Sequence, residues 1–135
     1  MPKAKFSTEC DRLSHVVDDA QYERLRWART EGPMLVRLVE LAREALAERS
    51  DFELVEEGAD RDEKRFVLKV HGNRVATVII TLDNMAAALR IEAAERSKYA
   101  VDAGGPVKMD FAAVDADWMA MALTSLFGRI RLMAA

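Results

Sequence analysis

Chemistry in this chain would have to come from a short list of side chains: two histidines, His15 and His71, one cysteine, Cys10, and the carboxylates Asp60, Asp62 and Glu63 in "ADRDEK". A histidine beside a hairpin turn, as His71 is, can serve as a general base or a metal ligand. His15 lies far off in sequence, and two histidines without a paired carboxylate motif make a poor metal site. Cys10 has no histidine or asparagine in a nucleophile arrangement, and one cysteine forms neither an internal disulfide nor a cysteine-cluster zinc site. The carboxylates of "ADRDEK" are interrupted by Arg61 and Lys64, so the twelve-residue calcium-loop spacing is not met. Gly104-Gly105 in "VDAGGPV" falls short of a phosphate-binding or dinucleotide loop. "ERSKY" carries one stacking tyrosine and two basic residues, too few for single-strand binding. These readings assign no catalytic residue, no metal and no cofactor, and they point away from an enzyme.

Composition narrows the class further. In 135 residues, half hydrophobic and 32% charged, the net charge is -3. That balance fits one globular domain with a real core. It lacks the basic footprint of a nucleic-acid binder. No signal peptide is visible and no apolar run reaches membrane-spanning length, which places the chain in the cytoplasm, off the membrane. Met109, Met119, Met121 and Met133 gather in the last quarter with Trp118 and Phe127; at helical spacing they read as core, although methionine-rich surfaces also serve partner binding.

The elements that must position these residues follow from periodicity. Residues 1–17 show no clear period and read as a loosely ordered segment or an arm. Asp18 with Gln21 has capping-box spacing for a helix over about 19–30, and Gly32-Pro33 marks its end. Over 34–49 an apolar stripe of Leu35, Leu38, Val39, Ala42, Ala45 and Leu46 predicts a second helix. The period then changes to two. Strands are expected over 52–57, 65–71, 74–82 and 86–95, with a short fifth at 107–111. Asp115 caps a last helix over 116–133 with Met119, Leu123, Leu126, Ile130 and Met133 as its stripe, and Gly128 as a weak point. The expected fold is α+β: N-terminal helices, an antiparallel meander of four or five strands and a C-terminal helix, with the helices on one face of the sheet.

The stretch "RVATVIITL" (74–82) raises the sharpest question, because both of its faces are apolar. A Gly72-Asn73 turn pairs Val70 with Val75, Leu68 with Thr77 and Phe66 with Ile79. A three-residue Asp83-Asn84-Met85 turn then brings Leu89 and Ile91 to that side, leaving Val67, Lys69, His71, Arg74, Val78, Ile80, Leu82, Arg90 and Glu92 on the other. Soluble monomers rarely expose such a patch. Its cover would be the N-terminal segment (Phe6, Leu13, Val16, Val17, Trp27), a second copy, or a foreign partner or ligand. The expected function is a protein-binding module, adaptor- or chaperone-like, acting as a homodimer through Val67, Lys69, Arg74, Val78, Ile80, Leu82 and Arg90. The alternative is a ligand-binding protein or enzyme, with His71, Tyr99, Phe111 and Trp118 around a pocket between the sheet and the last helix.

Overall fold

The computed structural model describes residues 2–59 and 63–133. They form α1 (Pro2–Val17), α2 (Asp19–Ala45), β1 (Phe52–Ala59), β2 (Glu63–Val70), β3 (Asn73–Asp83), β4 (Ala86–Ala93), β5 (Tyr99–Val101), β6 (Val107–Asp110), a 3₁₀ turn (Phe111–Ala113), α3 (Ala116–Phe127) and β7 (Ile130–Leu132). The chain divides into two units, 1–33 and 34–135.

In the first unit, residues 2–17 are helical rather than irregular. Asp18 accepts a hydrogen bond from the Gln21 N–H through its side chain, as its capping spacing requires. α2 begins at the next residue, Asp19, as that spacing predicts, and helical hydrogen bonds also join it to α1. The Asp18 N–H donates to the Ser14 carbonyl at 3.0 Å and the Tyr22 N–H to the Asp18 carbonyl at 2.9 Å, both four-residue helical steps. The expected break at Gly32-Pro33 is absent, since α2 runs through Pro33. Proline costs a helix interior about 3 kcal/mol, yet the residues on either side favour helix. Gly32 answers to a different constraint: a Cβ there would sit 3.1 Å from the Trp27 ring.

In the second unit, β1-β2-β3-β4-β6 form a five-stranded antiparallel sheet in chain order, and β5 pairs with β7 beside it. The α+β meander expected from the periodicity is present. Leu35, Leu38, Leu41 and Ala42 of α2, and Trp118, Met119, Ala122, Leu123 and Leu126 of α3, are buried. Arg43 lies over the Phe66 ring and Phe127 packs against Phe52, which identifies the helix-covered face of the sheet.

The register differs from expectation. The β2–β3 turn is His71-Gly72, both at positive φ, pairing Val70 with Asn73. Leu68 then opposes Ala76 while Lys69 opposes Arg74, so Val75 is a β-bulge. One extra residue exchanges the faces of a strand. Phe66 therefore opposes Val78, not Ile79, and Val67 opposes Thr77. The next turn is Asn84-Met85, again at positive φ, placing Ile91 against Val78 and Leu89 against Ile80. Phe66, Leu68, Ala76, Val78, Ile80, Leu89 and Ile91 thus share the helix-covered face. Ile79 turns to the open one.

The last helix stops at Phe127 rather than continuing to 133. Gly128 caps it, and the chain turns so that Ile130 to Leu132 pair with Tyr99 to Val101. Arg129 reaches back over Gly104 and donates to the Gly105 carbonyl at 2.9 Å. At the other end of α3, the Asp115 carboxylate accepts from the Trp118 N–H at 2.7 Å, as its cap position predicts. Asp115→Ala should lower stability by about 1 kcal/mol, read as a shifted urea midpoint with an unchanged slope.

Candidate functional site

The open face of the sheet carries its own cover. Ile79 stands between Arg65 of β2 and Arg90 of β4 in direct register. One step away lie Glu63 and Glu92. Arg65 donates to Glu92 at 3.0 Å and Arg90 to Glu63 at 2.7 Å. Contacts of 3.6 Å from Arg65 to Glu63 and from Arg90 to Glu92 close the set into a ring of alternating charge. Beneath it Ile79 is fully buried. Arginine stems pack along apolar surface while their heads stay in water. The second face of "RVATVIITL" thus needs no further chain above Ile79.

Beside the ring lies a polar depression of ≈ 400 Å³ whose lining includes Glu57, Arg65, Arg74, Thr77, Glu92 and Glu95. Glu57 is itself a bulge residue, left between Glu56 opposite Phe66 and Gly58 opposite Arg65. Arg74 precedes the Val75 bulge. Arg74 donates to the Glu57 carboxylate at 2.6 Å and to the Glu95 carbonyl at 3.0 Å. The hydrogen bond from Arg74 holds the Glu57 carboxyl below its ordinary range, and the same bond raises the Arg74 guanidinium. Both arginines of the depression are thus already paired with carboxylates, and an anion entering it must displace one.

A carboxyl whose folded pKa is depressed adds stability above its unfolded pKa, and that contribution is lost as pH falls through the folded value. Wild-type protein should therefore lose more stability than Glu57→Gln on acidification below about pH 4.5, the usual glutamate range. Urea midpoints for the two proteins across that interval check this.

The seven residues expected to form a binding surface do not share one. Val78 and Ile80 are fully buried on the helix-covered face, and Leu82 opposes Ala87 on that same face. Val67, also buried, and Arg90 belong to the open face. Lys69 and Arg74 oppose each other at the turn-proximal end of β2 and β3. The Val75 bulge is the reason for the scatter.

The four pocket candidates are likewise dispersed. His71 sits in the β2–β3 turn, its N–H donating to the Asp51 carbonyl. Phe111 lies at the other end of β3, its N–H donating to the Met85 carbonyl. A strand of that length separates them by roughly 30 Å. Tyr99 pairs with Leu132 in the small sheet, and Trp118 is buried in α3. Of the "ADRDEK" carboxylates, Asp60 and Asp62 lie outside the described residues, and Glu63 belongs to the ring.

The first unit holds a feature the sequence reading missed. Phe6, Cys10, Leu13 and Val17 are spaced by four, three and four residues, and Ala20 continues the series. On a helix this is a single seam. Its members are open to solvent: Phe6 is 73% exposed, Leu13 51% and Val17 81%, with Cys10 exposed among them. Across the helix His15, Asp19 and Glu23 converge at four-residue steps, with ligand-capable atoms within 4.8 Å of one another. His15 meets Asp19 at 2.7 Å and packs edge-on to Tyr22, while Glu23 is held by Arg26. The seam was legible in principle from its step pattern. The polar residues interleaved through 1–17 mask it, which is why that stretch shows no clear period at first reading.

No protein-family model, curated protein or solved structure matches this chain. Among the described residues, no helix is long and apolar enough to cross a membrane.

Proposed function

We propose that this chain is a protein-binding module, adaptor- or chaperone-like rather than catalytic, that works as an oligomer of itself, and that its contact surface is the seam on the N-terminal helix. One observation carries the reading: the large apolar side chains left in water include Phe6, Leu13, Val16 and Val17, gathered on one short helix. Full burial of such a side chain is worth about 1.5–3 kcal/mol relative to exposure. A covering partner would recover that. The sheet, by contrast, has one face under helices and an ion-paired ring on the other, so it offers a partner less.

The test is solution mass by size-exclusion chromatography with light scattering over a concentration series. The wild-type chain should run as an oligomer, and Leu13→Lys as a monomer that still unfolds cooperatively in urea, with a midpoint that no longer depends on protein concentration. A mass that is monomeric at every concentration, or one indifferent to Leu13→Lys, overturns the reading.

A further inference from the structure

Resting on that reading, we infer that the occupant of the seam is α1 of a second copy, packed antiparallel about a two-fold axis that passes between Asp11 and Arg12. The spacing is the first ground. The steps between Phe6, Cys10, Leu13 and Val17 read the same in both directions. A two-fold axis at their midpoint sets Phe6 against Val17 of the second copy and Cys10 against Leu13, so the seam meets itself with no polar residue in the row. Two-fold dimers are the commonest closed oligomers, and they require a self-complementary surface of this kind.

Charge selects the direction. Lys3 and Lys5 lie at the start of α1, and Asp18 and Asp19 follow its end. In the antiparallel pair the start of each α1, bearing Lys3 and Lys5, lies alongside the end of the other, where Asp18 follows. A parallel pair would stack lysine on lysine and aspartate on aspartate, and would align the two helix dipoles. The flank beside the seam at Ser7 and Ser14 is small and uncharged, which lets two helices approach at the usual 8–10 Å. The mixed charge also argues against a lipid surface, since helices that lie on membranes carry a basic polar face.

Disulfide trapping in the full-length chain tests the register. Wild-type Cys10 and its copy would be offset by three residues, about 4.5 Å along the axis. In a Cys10→Ala background, Phe6→Cys and Val17→Cys are made as separate proteins; both positions are exposed, so folding is not at stake. Each alone places its thiols eleven residues apart, about 16 Å. Each should stay unlinked under a copper–phenanthroline oxidant. Mixed and left to exchange, the two should link to each other, as wild-type protein should through Cys10. Self-linking of Phe6→Cys at the rate of the mixture would mean a parallel pair and overturn the inference. A dimeric mass with no linking of the mixture would place the contact elsewhere and overturn it while leaving the oligomer reading intact. A monomer that instead sediments with anionic phospholipid vesicles would overturn both.

Discussion

Lysine in place of Ile80 should leave the chain without a cooperative unfolding transition. Ile80 is fully buried, opposes Leu89 in register and lies on the face covered by α2 and α3. An unpaired ammonium there meets no partner, and the penalty for burying such a charge is several kcal/mol. The apolar contacts of the isoleucine are lost as well. Together these are comparable with the whole stability of a small domain, about 5–15 kcal/mol. Circular dichroism in urea reads the outcome directly. Val36→Lys is the control: Val36 is an exposed residue of the same unit, and a surface change of this kind typically stays within about 0.5 kcal/mol. A cooperative transition for Ile80→Lys within about 1 kcal/mol of wild type would mean that Ile80 faces water and that the bulge at Val75 is misplaced.

Truncating Ile79 to alanine should cost about 2–5 kcal/mol, the range for large-to-small changes at well-packed sites. The figure is notable for a residue on the open face of a sheet. It follows from the register, which sets Ile79 under the ring of Glu63, Arg65, Glu92 and Arg90. The ring charges themselves are partly in water, and ion pairs in that setting contribute about 0–1 kcal/mol each, less in salt. Glu63→Gln should therefore have a small effect that fades at high ionic strength, while the cost of Ile79→Ala persists. Equal costs for the two would show that the charges, not the isoleucine, hold that face together.

What could be read from the sequence was set by local patterns. Alternation in "RFVLKVH" and "RVATVIITL" gives two strands, the Leu35/Leu38/Ala42 stripe gives a buried helix face, and Asp115 gives a cap; the structure contains each. The register was not readable. A valine bulge has no local signature, because Val75 suits an ordinary strand position equally well. The turn at His71-Gly72 places a histidine at φ 51, where glycine or asparagine would be the better guess. The expected and observed registers differ by one residue on each side of β3, so Leu89 and Ile91 share a face with Phe66 and Leu68 in both, while Val78, Ile79 and Ile80 between them exchange faces. The pairing of β5 with β7 joins Tyr99–Val101 to Ile130–Leu132, and strands of three residues are too short to show a period. The bulge disperses the candidate surface over both faces, and the seam on α1 is masked by the polar residues that interleave it in residues 1–17.

The two borders of the five-stranded sheet bear on how the protein behaves when crowded. β1 is one border and β6 the other. An unpaired strand is a template for adding strands from other molecules, and natural sheets blunt such borders with charge, bulges or brevity. β1 carries Glu53, Glu56 and Glu57 along its length and is bent by its bulge at Glu57. β6 is four residues long and presents Lys108 and Asp110 to solvent. Neither border invites growth into fibrils or runaway sheets, so a concentrated solution of this protein should stay clear.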